Sequence, residues 1–250
     1  MITSRNNELI KSVRALDRKK ERDESGLFIA EGLKTVSEAI ISEQSFFALI
    51  LTENGEKLLS SLLGAVPNDI RREVVSEDVF KSVSGESSPQ GVLAVLYKPK
   101  TVLREPKGNC LFLDGVSDPA NVGAIIRTAA ATGFTDVYIA DGADAYSPKA
   151  VRASMSGIFR VNVFAGKREE LCEKINVPFY AADMGGENPF GVKAAKKFCL
   201  IVGNEAHGVS EFMKNKTSVT LGLPMQNGME SLNAADAAGV LMYALTNSKI

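Results

Sequence analysis

The chain has 250 residues, 45% of them hydrophobic, and its 29 basic and 30 acidic residues leave a net charge of −1. That length sits between one large domain and two modest ones, with apolar content enough for a sizeable core. The near-zero charge excludes attraction of a nucleic acid by the protein as a whole, so any RNA partner must be drawn by a local basic surface.

Residues 6–22 read as one amphipathic helix. Leu9, Val13 and Leu16 recur at helical spacing, while Lys11, Arg14, Arg18, Lys19, Lys20 and Arg22 crowd the other positions. A solvated helix face and an RNA contact are both consistent with that pattern. There follow a strand at FIAEG, a helix over residues 33–42, a buried strand at FFALILT, a helix over 56–63, a strand at REVVS and another at QGVLAVLY. This alternation describes a compact α/β unit over residues 1–100. The stretch KPKTVLREPKGN has two prolines and no periodicity, which makes residues 101–107 the linker candidate.

From residue 108 to 250, CLFLD, DVYIA, RVNVF, FYAAD, FCLIVG and SVTLGL are short apolar strands separated by helical segments. The pattern predicts a mainly parallel sheet with helices on both faces. Ligands of such sheets sit beyond the carboxyl ends of the strands, so the loops after Asp114, Asp183, Gly203 and Leu221 are the places to look. Cys110, Cys172 and Cys199 are odd in number, far apart and set in apolar stretches. They read as small buried hydrophobes in a reducing compartment. Residues 1–20 contain no signal-peptide core, and no later run is long enough to span a bilayer, so a soluble cytoplasmic protein is expected.

The chain lacks G-x-G-x-x-G after a strand, G-x-x-x-x-G-K-[ST], and metal spacings such as C-x-x-C or H-x-x-x-H. No metal is expected. The single histidine, His207, has no G-x-S-x-G serine to serve, and it reads as incidental. Three strand-to-helix segments remain. In FLDGVSDPANVGAIIRTAAATGF, Pro119 and Asn121 open a helix that carries Arg127 among Ile125, Ile126 and Ala129; the arginine is either functional or a snorkelling surface charge. In LIVGNEAHGVS, Gly203, Asn204, Glu205 and Gly208 form a turn where backbone can approach a ligand, or a plain capped turn. In LPMQNGMESLNAADAAGVLMYAL, Ser231 and Asn233 enter a helix rich in small residues, with Ser231 a candidate N-cap. That helix is expected to be buried against the sheet or a second subunit.

In order, wording and separation these segments resemble the three motifs of the SpoU/TrmH RNA methyltransferases of the SPOUT superfamily, over residues 111–245 and including VRASMSGIFRV. Upstream, ITSRNNELIKSVRALDRKKERDESGLFIAEG and SPQGVLAV resemble, more loosely, the ribosomal-protein-like substrate-binding domain of many members. The resemblance implies a deep trefoil knot, a homodimer with the active site completed across its interface, and transfer of methyl from S-adenosylmethionine to a ribose 2'-hydroxyl of structured RNA. Ribosomal RNA is the first expectation and transfer RNA the alternative; an RNA-binding assembly factor without catalysis, or another small-molecule α/β enzyme, are the competing classes. Cofactor binding is carried over to Gly203, Leu223 and Leu232, with Asn204 and Asp183 as strand-end neighbours. Catalytic roles go to Asn121, Arg127, Glu205, Ser231 and Asn233. Arg127 is either the proton acceptor or, because guanidinium stays protonated, the group that stabilises a developing alkoxide. RNA contact is assigned to Lys11, Arg14, Arg18, Lys19, Lys20 and Arg22.

Overall fold

A computed structural model describes residues 1–246; the end of the region expected to run to residue 250 lies outside them. The chain divides into two compact units. One contains Met1–Lys100 with Tyr146–Phe159, and the other contains Thr101–Ala145 with the chain from Arg160 onward.

The first unit holds α1 (Glu8–Ala15), α2 (Lys19–Ser25), β1 (Leu27–Glu31), α3 (Leu33–Ile41), β2 (Phe46–Leu51), α4 (Glu53–Leu59), β3 (Arg71–Val74), α5 (Glu77–Lys81) and β4 (Val92–Tyr97). Its sheet runs in the order β1-β4-β2-β3, with only β2 and β3 parallel. Alternate strand residues Ile29, Ala48, Ile50, Leu93 and Val95 pack with Leu9, Ile10 and Val13 from α1 and with Leu16 just after it, as the period of two in a strand requires. Helix α4 starts at Glu53 and not at residue 56, because Thr52 caps it, its Oγ1 accepting from Gly55 N at 3.1 Å.

The single helix expected over residues 6–22 is two. Its apolar stripe ends at Leu16, and α2 buries nothing but Arg22, which is 3% exposed. Arg18 adopts extended backbone, φ −88° and ψ 132°. Just past the end of α1 the partly buried chain still needs donors for its carbonyls, and the Arg22 guanidinium supplies them, donating to Leu16 O at 2.7 Å and Asp17 O at 2.8 Å. Arg22 therefore belongs to the interior and not to an RNA-facing surface, which corrects its assignment.

The second unit is built from β5 (Cys110–Asp114), α6 (Pro119–Thr132), β6 (Asp136–Ala140), β7 (Asn162–Gly166), α8 (Arg168–Glu173), β8 (Phe179–Glu187), β9 (Cys199–Gly203), α9 (Glu211–Lys214), β10 (Thr217–Leu221) and α10 (Ala234–Thr246). The short helix α7 (Pro148–Ala153), between β6 and β7 in sequence, lies in the first unit. All six strands are parallel, in the order β10-β8-β9-β5-β6-β7. Cys110, Phe112, Tyr138, Ala140, Cys199 and Ile201 pack with Leu171, Cys172 and Met213 from α8 and α9 on one face. The alternate residues point the other way, where α10 packs on α6 and reaches β8 and β9. The cysteines are free and buried.

Residues 101–107 are pinned to this second unit. Asp136 is fully buried and accepts from Arg104 at 2.7 and 3.1 Å, Lys107 N at 3.0 Å and Asn162 Nδ2 at 2.9 Å. Burial pushes the Asp136 pKa up, but these donors outweigh it and hold the carboxyl below its ordinary range.

Replacing Arg22 with Met removes both hydrogen bonds and strands two carbonyls, so the unfolding free energy measured in urea should fall by about 2 kcal/mol. An unchanged midpoint would return Arg22 to solvent.

Candidate functional site

Strand order places the site. The chain lays down β5, β6 and β7 in one direction and then crosses to β8 and β9 on the other side of β5. Asp114 and Gly203 are register partners at the carboxyl ends of β5 and β9, and the loops leaving them separate at this switch point, where an α/β sheet opens a crevice. A cleft of about 660 Å³ lies there, with Val202, Leu221, Leu223, Leu232 and Leu241 as apolar wall and Asp183, Asn204, Glu205, Glu230, Ser231 and Asn233 as polar lining. Each expected cofactor contact, Gly203, Asn204, Asp183, Leu223 and Leu232, lines it.

Gly203 fits nothing larger. A Cβ added there would lie 2.2 Å from Gly208 C and 2.3 Å from Val209 N, because the loop folds straight back. Asn204 N donates to Gly208 O at 2.9 Å, and Gly208 N returns to Asn204 O at 2.8 Å. The Asn204 side chain is occupied by this turn: Nδ2 donates to Gly115 O at 2.8 Å, and Oδ1 accepts from Ala206 N at 2.9 Å and His207 N at 3.1 Å. The capped-turn reading of Asn204 thus holds for its side chain, while its backbone borders the cleft. His207 also lines the cleft, with Nδ1 3.1 Å from Asn204 Oδ1.

Glu205 is the hub of the site. Its carboxylate accepts from Ser117 N at 3.0 Å, Ser117 Oγ at 2.9 Å, Asp118 N at 3.2 Å and Asn121 Nδ2 at 2.8 Å. Partial burial works to raise its pKa, but the hydrogen bonds from Asn121 and from the backbone of Ser117, Glu205 and Asp118 win and hold it at about 2. Asn121, 8% exposed, then accepts from Asn233 Nδ2 at 3.0 Å. One relay, Asn233 to Asn121 to Glu205, ties all three motif segments together. Asn233 also opens α10, accepting from Ala235 N at 2.8 Å and, by its carbonyl, from Ala237 N at 2.9 Å. It takes the capping role expected of Ser231, which stays exposed in the cleft lining.

The sequence did not single out Ser117, whose backbone and hydroxyl fix Glu205, nor Arg168. The buried Asp114 carboxylate accepts from Arg168 Nε at 2.6 Å and from Ser210 N at 2.7 Å, so it clamps the far end of the Glu205 loop. Nothing local marks these residues, because their partners stand 54 to 96 positions away.

Arg127 stands apart. It is exposed on α6, has no hydrogen bond or ion pair among the described residues, and is not among the residues lining the cleft. From Asn121 it is displaced roughly 9 Å along the helix axis and about 120° around it. In the first unit, Lys11 is exposed and unpaired among the described residues. Arg14 donates to Ser82, while Arg18, Lys19 and Lys20 pair with Glu21, Asp23 and Glu24. Such exposed pairs are weak and yield readily to a phosphate. Among the described residues there is no group of three or more His, Cys, Asp or Glu arranged for a metal ion. No helix among them is long and apolar enough to cross a membrane.

Comparison with known proteins agrees with this geometry. The model of the SpoU rRNA Methylase family matches residues 108–243, and that of the MRM3-like substrate binding domain matches residues 7–94. The chain is 32% identical to the 23S rRNA (guanosine(2553)-2'-O)-methyltransferase RlmP of Bacillus subtilis, over 98% of each protein. It is 27% identical to the 23S rRNA (uridine(2479)-2'-O)-methyltransferase of Streptomyces viridochromogenes, over 100% of this chain and 92% of that protein. The AdoMet-bound rRNA methyltransferase from Sinorhizobium meliloti superposes with a TM-score of 0.87 at 25% identity, covering 100% of this chain and 98% of that one.

The depressed Glu205 pKa makes the hub acid-sensitive. A group whose pKa falls on folding, here from 4.5 to about 2, contributes stability that is complete above the higher value and lost as pH drops towards the lower. In urea titrations, the stability advantage of the wild type over Glu205→Gln should therefore be constant above pH 5 and shrink between about pH 4.5 and 2. A gap that does not narrow with acid would sever Glu205 from this role.

Proposed function

The chain belongs to the SpoU rRNA methylase family, and on that basis we propose that it methylates a ribose 2'-hydroxyl of ribosomal RNA, using the cleft beside the Asn233–Asn121–Glu205 relay to bind S-adenosylmethionine. The observation that carries this reading is the relay itself, which joins the three motif segments around one ligand-sized cleft. The cleft suits the cofactor: an apolar slot of leucines accepts adenine, and the Gly203 and Asn204 backbone that borders the slot can meet its polar edges. When bound, the cofactor supplies an electrophilic methyl group. The protein's own residues must align the hydroxyl and manage its proton.

In this proposal Glu205 and Asn121 shape the two loops, Asn233 fixes the start of α10, and Ser231 lies near the reacting groups. Asp183 and the backbone of Asn204 complete the cofactor site with Gly203, Leu223 and Leu232. Arg127 is the catalytic group, acting on the 2'-hydroxyl as proton acceptor or as electrostatic partner of the alkoxide. Its position outside the cleft of its own chain favours a homodimer, in which Arg127 of one copy serves a cofactor held by the other. Exposed Met229, Leu232 and Tyr243 supply apolar surface for such an interface.

Residues 1–100 are the RNA-binding domain, 101–107 the connector and 108–250 the methyltransferase domain. Lys11, Arg14, Arg18, Lys19 and Lys20 contact RNA phosphates. The trefoil knot implied by the resemblance belongs to the same proposal, as does a cytoplasmic location, which suits three free, buried cysteines. Ribosomal RNA is favoured over transfer RNA because RlmP and the Streptomyces relative are 23S rRNA methyltransferases.

Radiolabelled S-adenosylmethionine incubated with undermethylated ribosomal and transfer RNA should place label in a 2'-O-methylnucleoside of the ribosomal fraction. Label on a base, or only in transfer RNA, would overturn the corresponding part of the proposal. In the same assay Arg127→Ala should lose most methyl transfer yet keep cofactor affinity; equal loss of both would remove its catalytic assignment.

Replacing Lys11, Lys19 and Lys20 together should weaken RNA binding and flatten the dependence of affinity on salt, by about one counterion for each phosphate that is no longer neutralised. An unchanged salt slope would leave this helix pair as an ordinary solvated surface.

A further inference from the structure

Among the described residues three carboxylates, from Asp183, Glu205 and Glu230, line the cleft, and no lysine or arginine does. Two of the three are engaged. Glu205 is tied to the loop after β5. Asp183 accepts from Met184 N at 2.7 Å and lies 3.7 Å from Lys214 Nζ. The Glu230 side chain is exposed and has neither hydrogen bond nor ion pair among the described residues. Its place is set by a tight turn just before it, where Asn227 and Gly228 take φ of 56° and 72° and Met229 N donates to Gln226 O at 3.2 Å. A free carboxylate beside apolar walls acts on whatever charge enters the cleft, and among the described residues of the same chain no lysine or arginine pairs with it.

Resting on the reading that this cleft holds S-adenosylmethionine, we propose that Glu230 is a specificity-determining residue that favours the sulfonium cofactor over its demethylated product. The cofactor carries one more positive charge than S-adenosylhomocysteine, since loss of the methyl group converts a sulfonium into a neutral thioether. The two molecules present nearly the same shape and the same adenosine, so the leucine wall and the loop backbone bind them alike. Charge is the remaining handle, and discrimination requires a group that responds to it. Glu230 attracts the cation and gives the neutral product no matching gain, so turnover itself weakens the hold on the product.

The test is calorimetric titration of the full chain, wild type and Glu230→Gln, with S-adenosylmethionine, S-adenosylhomocysteine and sinefungin, which carries an ammonium group in place of the sulfonium. The substitution should weaken the two cationic ligands by roughly two- to fivefold, the range of a solvent-exposed charge pair, and leave the neutral product unchanged. Added salt should erode the preference of the wild type for the cationic ligands and leave that of the variant flat. Equal weakening of all three ligands, or none of any, overturns the role of Glu230 while leaving the cofactor site standing. Failure of the wild type to bind any of them overturns the cofactor reading of the cleft, and this inference with it.

Discussion

Parallel pairing of β5 with β9 is the constraint on which the site depends. It brings Asp114 and Gly203 side by side at the strand ends, so a loop at residue 117 and a loop at residue 205, separated by 88 positions, share one space. Glu205 then bonds the backbone and hydroxyl of the facing loop, and Asn121 hands the connection on to Asn233. Asp114 secures the other end of the Glu205 loop through Ser210 N and is itself neutralised by Arg168. Every buried polar group in this chain of contacts has a partner, which is what lets irregular loops hold one shape at the edge of a core.

Charge is distributed unevenly between the cleft and Arg127. The charged side chains that line the cleft are carboxylates, set beside an apolar wall, whereas Arg127 stands outside it. A positive side chain inside would repel a cationic ligand, and none of the described residues lining the cleft is a lysine or arginine. The first unit follows a different pattern. Most cations of α1 and α2 are paired with neighbouring acids or with Ser82, and Arg22 has gone inside. Glu21, Asp23 and Glu24 thus offset Arg18, Lys19 and Lys20 locally.

The strands of both sheets were legible because apolar runs bounded by turn residues report burial on two faces directly. Helix ends were less legible, and for identifiable reasons. The break between α1 and α2 depends on a guanidinium reaching back across six residues to Leu16 O, and the start of α4 depends on a Thr52 cap three residues ahead of its periodic stretch. Helix α5 and the helix Pro148–Ala153 are too short to register a period at all.

From the residues alone came the mainly parallel sheet and the strand-end loops as the place for a ligand, while the choice of Asn121, Glu205, Ser231, Asn233 and Gly203 came from the resemblance of three segments to the SpoU/TrmH motifs. Those features are encoded locally, in hydrophobic period, in glycine, and in short runs of polar residues after strands. What the tertiary structure decided was who touches whom. It made Glu205 a loop hub with a pKa near 2, transferred the capping role from Ser231 to Asn233, left Arg127 outside the cleft and drew Arg22 into the core. Each of these outcomes depends on through-space contact or on burial that folding alone creates, and neither the direction of a side chain nor the partner it meets is written in the spacing of the chain.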